Sequence, residues 1–503
     1  MNNSNDISLL RDFVSSQLLR IERLESAVSI LSAENIELKT DNTTLKAENA
    51  ALKADNVVLK TDNELLKLEN AELKARLNQN SNNSHKPPTS DGLQKKPGLP
   101  STSDKKTGGQ FGHKGKTLKM VETPDQIVVH HIKNCPCCQK VFSASDVEQI
   151  VQKRQVFDIP EPKLEVIEHQ IGIISCCGQQ FKGIFPDAVT QPVQYGSKIK
   201  ALSVLLNVDY KIPFEKIEQL LGDIYNCSFN ESTAISANLR CYNDLESTEL
   251  IIKKAVLKSH VVHFDETGMR VEAKLHWFHT ASTTFYTYLF VHQRRGKEAL
   301  NSTYSLLPDF KNWAVHDCWK SYFEFKDCTH SLCNAHILRE LEALRENGSL
   351  WAIEMKQLIL DLYNLSQKAT LIVSDKQLWI DKYLLICKNA DEEEPKPIQN
   401  PNKRGKAKNS KGRNLLNRLV EHLNGILAFA FIETIPFTNN QAERDIRCLK
   451  TKQKVATSFR TFDGAKHYAR IQSFVSTCRK QQMSVFQNLI NIFNHNQVVF
   501  LYA

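Results

Sequence analysis

Leucine returns at every seventh position, at Leu24, Leu31, Leu38, Leu45, Leu52, Leu59, Leu66 and Leu73. An apolar residue every 3.5 per turn specifies one continuous helix with a seam that must meet a partner helix. With the leucines at d, the g positions are acids (Glu34, Asp41, Glu48, Asp55, Asp62, Glu69) and the e positions are lysines (Lys39, Lys46, Lys53, Lys60, Lys67, Lys74). Acid at g facing Lys at e of a second copy predicts a parallel homo-oligomeric coiled coil over residues 1–78, a dimer in its simplest form. The a positions are Asn35, Asn42, Asn49, Asn56, Asn63 and Asn70. One Asn at a fixes register at a cost in stability, so six in series make a zipper that needs help from DNA or another domain. The competing reading is a single solvated helix.

At 503 residues the chain has room for several domains. Its net charge of +9 is modest but clustered, so local basic stretches matter more than the total. Thirteen cysteines, an odd number and mostly scattered, read as reduced thiols of a cytoplasmic protein rather than a disulfide framework. The absence of a signal core and of a long uncharged apolar run predicts no membrane partner. Residues 79–118 are rich in Asn, Ser, Pro, Gly and Lys and predict a basic flexible linker, either solvated or lying along phosphates.

Residues 119–192 hold Cys135-Pro-Cys-Cys138 and, after a strand-rich interval, Cys176-Cys177. Paired thiolates on two turns predict a zinc-finger-like module with Cys135, Cys138, Cys176 and Cys177 as ligands to Zn²⁺. Adjacent cysteines chelate one ion poorly, and Ile174 stands where a second Cys-x-x-Cys would begin, so His130, His131 or His169 are alternative fourth ligands. A metal-free β module is the other reading. From 193 to 250 the period becomes helical. Pro213 at one helix start, a break over 225–229 and Asn230 as an N-cap predict a helix-turn-helix-like region, a pattern any helical hairpin shares.

Val261-Val-His-Phe-Asp265 is a β-branched and aromatic run ending on an acid, with Gly268 as the predicted turn after it. Extended runs follow at 275–282 and 285–292, then a helical stretch over about 296–307, then Trp313-Ala-Val-His-Asp317. Three antiparallel strands, a crossover helix and a parallel fourth strand open a ribonuclease-H-like fold, in which the first and fourth strands are neighbours. Asp265 and Asp317 then emerge side by side, and a divalent cation relieves their repulsion. A helix starting near Asn439 puts Glu443, Arg447 and Lys450 on one face: an acid for metal and two cations for phosphate, or else a solvent-exposed i,i+4 ion pair. His263, His316 and His336 read as core or supporting residues rather than ligands. Between Asp317 and Glu443 the helical periods over 337–365 and 376–388 predict an inserted helical subdomain at about 342–420. It carries a polar loop, 391–413, whose Lys396, Lys403, Arg404, Lys406, Lys408, Lys411 and Arg413 predict phosphate contacts.

The chain resembles the large subunit of bacterial insertion-sequence transposases of the sixty-six family. The resemblance is carried by Lys86-Pro-Pro-Thr-Ser-Asp-Gly92, Gly108-Gly-Gln-Phe-Gly-His-Lys-Gly115 and Asp265-Glu-Thr-Gly268. Cys333-Asn-Ala-His-Ile-Leu-Arg-Glu-Leu341 and Pro436-Phe-Thr-Asn-Asn-Gln-Ala-Glu-Arg-Asp-Ile-Arg447 complete it. It implies a multidomain α/β protein with a ribonuclease-H-like DDE catalytic domain over 251–475 and a C-terminal helical tail over 476–503. It implies Asp265, Asp317 and Glu443 as the catalytic acids, holding Mg²⁺ or Mn²⁺, with Arg444, Arg447, Lys450, Lys454 and Arg460 on DNA. The implied partners are element terminal repeats, target DNA and small accessory proteins of the element, in the bacterial nucleoid. A non-catalytic DNA-binding regulator and a nuclease that never joins strands are the alternatives. Ala456-Thr457 departs from the family's Ser-Gly type turn before Ser458-Phe-Arg460.

Overall fold

The computed structural model describes residues 3–77, 118–368, 373–397 and 407–501. The chain divides into two compact units, Met1–Ser90 and Asp91–Ala503. In the first, α1 (Asn3–Leu77) is one uninterrupted helix of 75 residues, about 110 Å long at 1.5 Å per residue. Its eight d leucines are each between 53% and 65% exposed. The seam is therefore not buried within its own chain.

Residues 79–117 of the expected linker lie outside the described residues. From 118 to 192 no residue is buried. This segment holds a hairpin of β1 (Ile173–Cys176) and β2 (Gln179–Lys182), closed by Cys177 and Gly178, both at positive φ. The segment has no apolar core of its own.

The helical region follows as α2 (Ser197–Val204), a π-helical turn over Leu205–Asp209, α3 (Phe214–Tyr225), α4 (Glu231–Asp244) and α5 (Glu246–Lys258). Pro213 caps α3, and the Asn230 side chain caps α4 by accepting from the Thr233 amide. Ile217, Leu221, Phe229 and Ala234 pack the α3–α4 pair together. The helix pair read from the sequence is present. Its chemistry is poor for DNA, because α4 carries a single cation, Arg240, which pairs with Asp244. The exposed side chains of α4 include Ile235 and Leu239.

The sheet is built from β3 (Val261–Val271), β4 (Lys274–Ser282), β5 (Thr287–His292), β6 (Trp313–His316) and β7 (Thr329–Leu332), in the order β5-β4-β3-β6-β7. The first three are antiparallel and β6 runs parallel beside β3, which is the strand order expected from the sequence. Between β5 and β6 the helical stretch shrinks to α6 (Lys297–Leu300) and a 3₁₀ turn at Leu307–Asp309. Asn301-Ser-Thr-Tyr-Ser305 and Pro308 end it, since short polar side chains compete for the backbone and Pro lacks an N–H.

The expected turn at Gly268 is absent. Strand β3 runs straight through it, and the chain turns at Glu272 and Ala273, which take left-handed φ values of 51° and 60°. Gly268 serves close approach instead: a Cβ there would sit 3.0 Å from Leu275 Cδ1 and under the Trp277 ring.

Helices α7 (Asn334–Glu346), α8 (Leu350–Ser366), α9 (Val373–Glu393), α10 (Lys411–Glu421) and α11 (Leu423–Phe431) share a core centred on Trp351, Met355, Ile359, Tyr383 and Leu419. The chain returns to the sheet as α12 (Asn440–Ala456), β8 (Ser458–Phe459), α13 (Phe462–Lys480) and α14 (Val485–Phe493). Helix α12 lies on β3 and β4, and α13 on β5. Helix α13 runs through residue 475 without a break, and Cys478, Val485 and Leu489 belong to the main core with Val262, Phe264 and Phe278. Among the described residues no helix is long and apolar enough to cross a membrane.

Candidate active site

The site sits at a gap in the sheet. On one side β3 pairs with β6 over Val261–His263 only, and with β8 over Arg270–Val271 only. Residues 264–269 of β3 therefore have no strand partner on that side, and their backbone must be satisfied otherwise. Helix α12 does this. Asn439, just before it, donates its side-chain amide to Phe264 O at 2.7 Å, and Lys450 donates to Gly268 O at 3.4 Å. Glu443 lies on α12 between these two anchors.

Asp265 lies inside β3, not at its tip, two residues past the last β6 pair, His263 with Val315. Asp317 follows the end of β6 and is likewise two residues past that pair. The two acids are therefore at the same level, across a strand that has just ended. Trp319 fixes Asp317 by donating its amide to Oδ1 at 3.1 Å. Burial pushes Asp265 well above the usual carboxylate range, and Glu266 adds to this. The Glu266 amide, 2.8 Å from Asp265 Oδ1, pulls the other way. Asp317 and Glu443 raise it further. The charges of the other two expected acids thus act on Asp265, though among the described residues the three do not form a ligand group within 4.8 Å. Glu443 Oε1 is buried with no hydrogen-bond partner among the described residues.

Alternation along β3 points Glu266 to the opposite face of the strand from Asp265. Glu266 does not face solvent. Its side chain is 2% exposed, accepts from Arg295 Nε and Nη2 at 2.9 and 2.7 Å, and accepts from Tyr322 OH at 2.5 Å. Arg295 is held between the Trp277 and Trp319 rings, 4.9 and 4.4 Å from their centroids. Glu266 is fully satisfied by these partners.

The start of α12 is fixed by three neighbours. Asn439 Oδ1 accepts from His263 Nδ1 at 2.9 Å, and the Asn439 amide donates to Cys333 Sγ at 3.1 Å. Cys333 in turn donates its amide to His316 O at 2.9 Å. Cys333, through its amide and its sulfur, therefore links the residue before Asp317 to the helix that carries Glu443. His263 is held neutral by burial, its pKa lowered to about 4, and His316 to about 3. Both are core residues, as read from the sequence. His336 is different: its Nε2 lies 4.0 Å from Glu443 Oε1, and Cys333, His336 and Glu443 form a group able to hold a metal ion.

Ala442, Ile446 and Leu449 bury one stripe of α12, which leaves Arg444, Arg447, Lys450 and Lys454 exposed, along with Arg460 after β8. Burial lowers the Lys450 pKa while Asp265 raises it. Asp445, which sequence reasoning passed over, is structural. It pairs with Lys480 at 2.5 Å in the interior and accepts from Thr287 Oγ1 at 3.1 Å and from Ser282. No spacing rule separates Asp445 from Glu443; only the helix face does.

Two expectations change. Arg413 is not available to phosphate, because it is buried on Asp391 and the Glu394 carbonyl. Lys403, Arg404 and Lys406 lie outside the described residues. In the cysteine module, Cys135 to Lys140 closes a tight turn through Cys135 N–H to Lys140 O at 2.8 Å and Gln139 N–H to Cys135 O at 3.0 Å. Cys176 and Cys177 lie with their sulfurs 3.4 Å apart on the β1–β2 hairpin. Among the described residues the four thiols do not gather with any third ligand within 4.8 Å.

A model of the Transposase IS66 family matches residues 192–467, more than half of the chain. The chain belongs to the Transposase IS66 family. The match spans the whole sheet, all three acids and the Cys333–His336 turn. A model of a family of unknown function (DUF6444) matches residues 37–119. No curated protein matches the chain. Family membership supports a general role in transposition.

Proposed function

We propose that this chain is a DDE-type polynucleotidyl transferase that cleaves DNA at the ends of an insertion sequence and joins the freed ends to target DNA. The reading rests on one observation above others. Asp265 and Asp317 stand at the same register beside the gap in the sheet, the charges of Asp317 and Glu443 both raise Asp265, and the buried Glu443 Oε1 has no hydrogen-bond partner among the described residues. The strand order supports a ribonuclease-H-like label for this domain.

The donor set fits Mg²⁺ or Mn²⁺. It is all oxygen and all carboxylate, and its charge repulsion already pushes Asp265 upward. When bound, such ions activate water or a 3′-hydroxyl for in-line attack and stabilise the leaving oxygen. The protein's own residues do the rest. Asn439 and Cys333 hold the Glu443 helix to the strands that carry the aspartates. Glu266 holds Arg295 between two tryptophans at the rim. Lys450 brings a positive charge against Asp265, and Arg444, Arg447, Lys454 and Arg460 offer exposed charge for flanking phosphates. Self-association through the exposed leucine seam of α1 would bring two such sites to two element ends.

The test is DNA carrying the element's terminal repeats, incubated with the protein in Mg²⁺ or in EDTA. Nicking and strand joining that need Mg²⁺ support the proposal. Nicking without joining of pre-cut ends makes the protein a nuclease, and DNA binding with no metal-dependent chemistry makes it a regulator.

A further inference from the structure

Cys333, His336 and Glu443 bring a sulfur, an imidazole nitrogen and a carboxylate oxygen to within 4.8 Å of one another. Cys333 caps the N-terminus of α7, and His336 lies in its first turn. Residues three apart on a helix share a face, so thiol and imidazole point together. Glu443 comes from the first turn of α12. The two helix starts are pinned to each other by Asn439 N–H to Cys333 Sγ at 3.1 Å and Asn334 N–H to Phe437 O at 3.1 Å. The donors are thus positioned by backbone, not by chance contact of long side chains.

The surroundings of the sulfur suit a thiolate once a cation is present. Burial pushes the Cys333 thiol up to about 11, while the backbone amides of Asn439, His336 and Ala335 pull it down. A divalent ion reverses the burial effect by taking the place of the proton. Glu443 Oε1, buried and without a hydrogen-bond partner among the described residues, lies 4.0 Å from His336 Nε2. Sulfur, nitrogen and oxygen together are the wrong set for Mg²⁺, which prefers oxygen alone. Three protein ligands of this mixed kind match borderline-soft Zn²⁺, whose catalytic sites take three protein ligands and a fourth from water or substrate.

We propose that Cys333, His336 and Glu443 form a second metal site, for a thiophilic divalent ion of the zinc class, that shares Glu443 with the carboxylate site. An ion held there draws the Glu443 carboxylate toward Cys333 and away from Asp265 and Asp317. Zinc-class ions therefore antagonise Mg²⁺ instead of replacing it. The binding stands on the geometry alone; the antagonism rests on the proposed function.

The experiment uses the full chain with Cys135, Cys137, Cys138, Cys176 and Cys177 changed to Ser, which removes the other clustered thiols. Co²⁺ is titrated as the probe and then displaced with Zn²⁺. The expected result is a thiolate-to-cobalt charge-transfer band saturating at one ion per chain and lost on adding Zn²⁺. Cys333→Ser abolishes the band, His336→Ala weakens binding by about a hundredfold, and Asp265→Asn retains it. Cys333 is buried and its variant can fail to fold, so the partly exposed His336 keeps the test decisive. No band in the parent, or an equal band in His336→Ala, overturns the site. On terminal-repeat DNA in Mg²⁺, Zn²⁺ inhibits nicking by the parent and needs about a hundredfold more to inhibit His336→Ala. Equal inhibition of both overturns the antagonism. A cobalt band without Mg²⁺-dependent nicking keeps this site and rejects the transferase, and nicking without the band does the reverse.

Discussion

Asn439 carries more of the site than its side chain suggests. It satisfies the Phe264 carbonyl where β3 has no neighbour, orients His263 and meets Cys333. Asn439→Leu leaves a buried carbonyl and a buried imidazole unpaired, so it lowers unfolding free energy by about 2–4 kcal/mol, measured by urea denaturation. His279 is a second residue with a measurable signature. It is 3% exposed, lies flat on Phe290 and is pushed by burial to a pKa of about 3. His292 and Arg295 nearby also disfavour its charge, against a stabilising Arg294 carbonyl. A folded pKa below the unfolded value of about 6.5 favours the neutral form. Its contribution is therefore full above about pH 6.5 and is lost as pH falls toward 3. Between pH 6.5 and 5.5 that loss is about 1 kcal/mol. His279→Phe should flatten the stability slope in that window, and an unchanged slope contradicts the assignment. Asn439 was legible only as a helix start and His279 not at all, because nothing local marks a polar side chain that will be buried.

At the scale of elements, β3 and α12 were legible and their ends were not. The apolar run before Asp265 announced a strand, but Gly268 was read as a turn because glycine more often turns than makes room for Trp277. The start near Asn439 and the Glu443–Arg447–Lys450 face marked α12, while the difference between Glu443 and Asp445 needed the fold. Helix α12 stops at Thr457, a β-branched residue at φ 55°. That conformation is strained for anything but glycine. Thr457→Gly should stabilise the chain by about 1 kcal/mol, seen as a higher melting temperature. The exposed cations of α12 belong to the same scale. Arg447→Ala with Lys454→Ala should weaken binding to specific and random DNA alike, and lower the slope of log affinity against log salt by about 2. A loss confined to one sequence contradicts a phosphate role.

For the molecule as a whole, the heptads gave the long helix and the sequence order of strands gave the sheet. The helical core between β7 and α12 was visible only as periodicity, since its packing joins residues far apart in sequence. The cysteine module was the least legible part. Its Cys pairs are local, but nothing local says whether two turns meet. If the leucine seam of α1 holds two chains together, Leu45→Asp with Leu52→Asp converts the full-length protein to monomer in sedimentation equilibrium, while Asn49→Leu tightens the assembly. The central claim is the carboxylate site, and its direct measurement is Mg²⁺-dependent cleavage of terminal-repeat DNA by Asp265→Asn and Glu443→Gln, with folding checked by circular dichroism. Loss of one metal-holding carboxylate should slow cleavage by about a thousandfold, the equivalent of about 4 kcal/mol, with DNA binding retained. Cleavage at the parent rate by either variant contradicts the account.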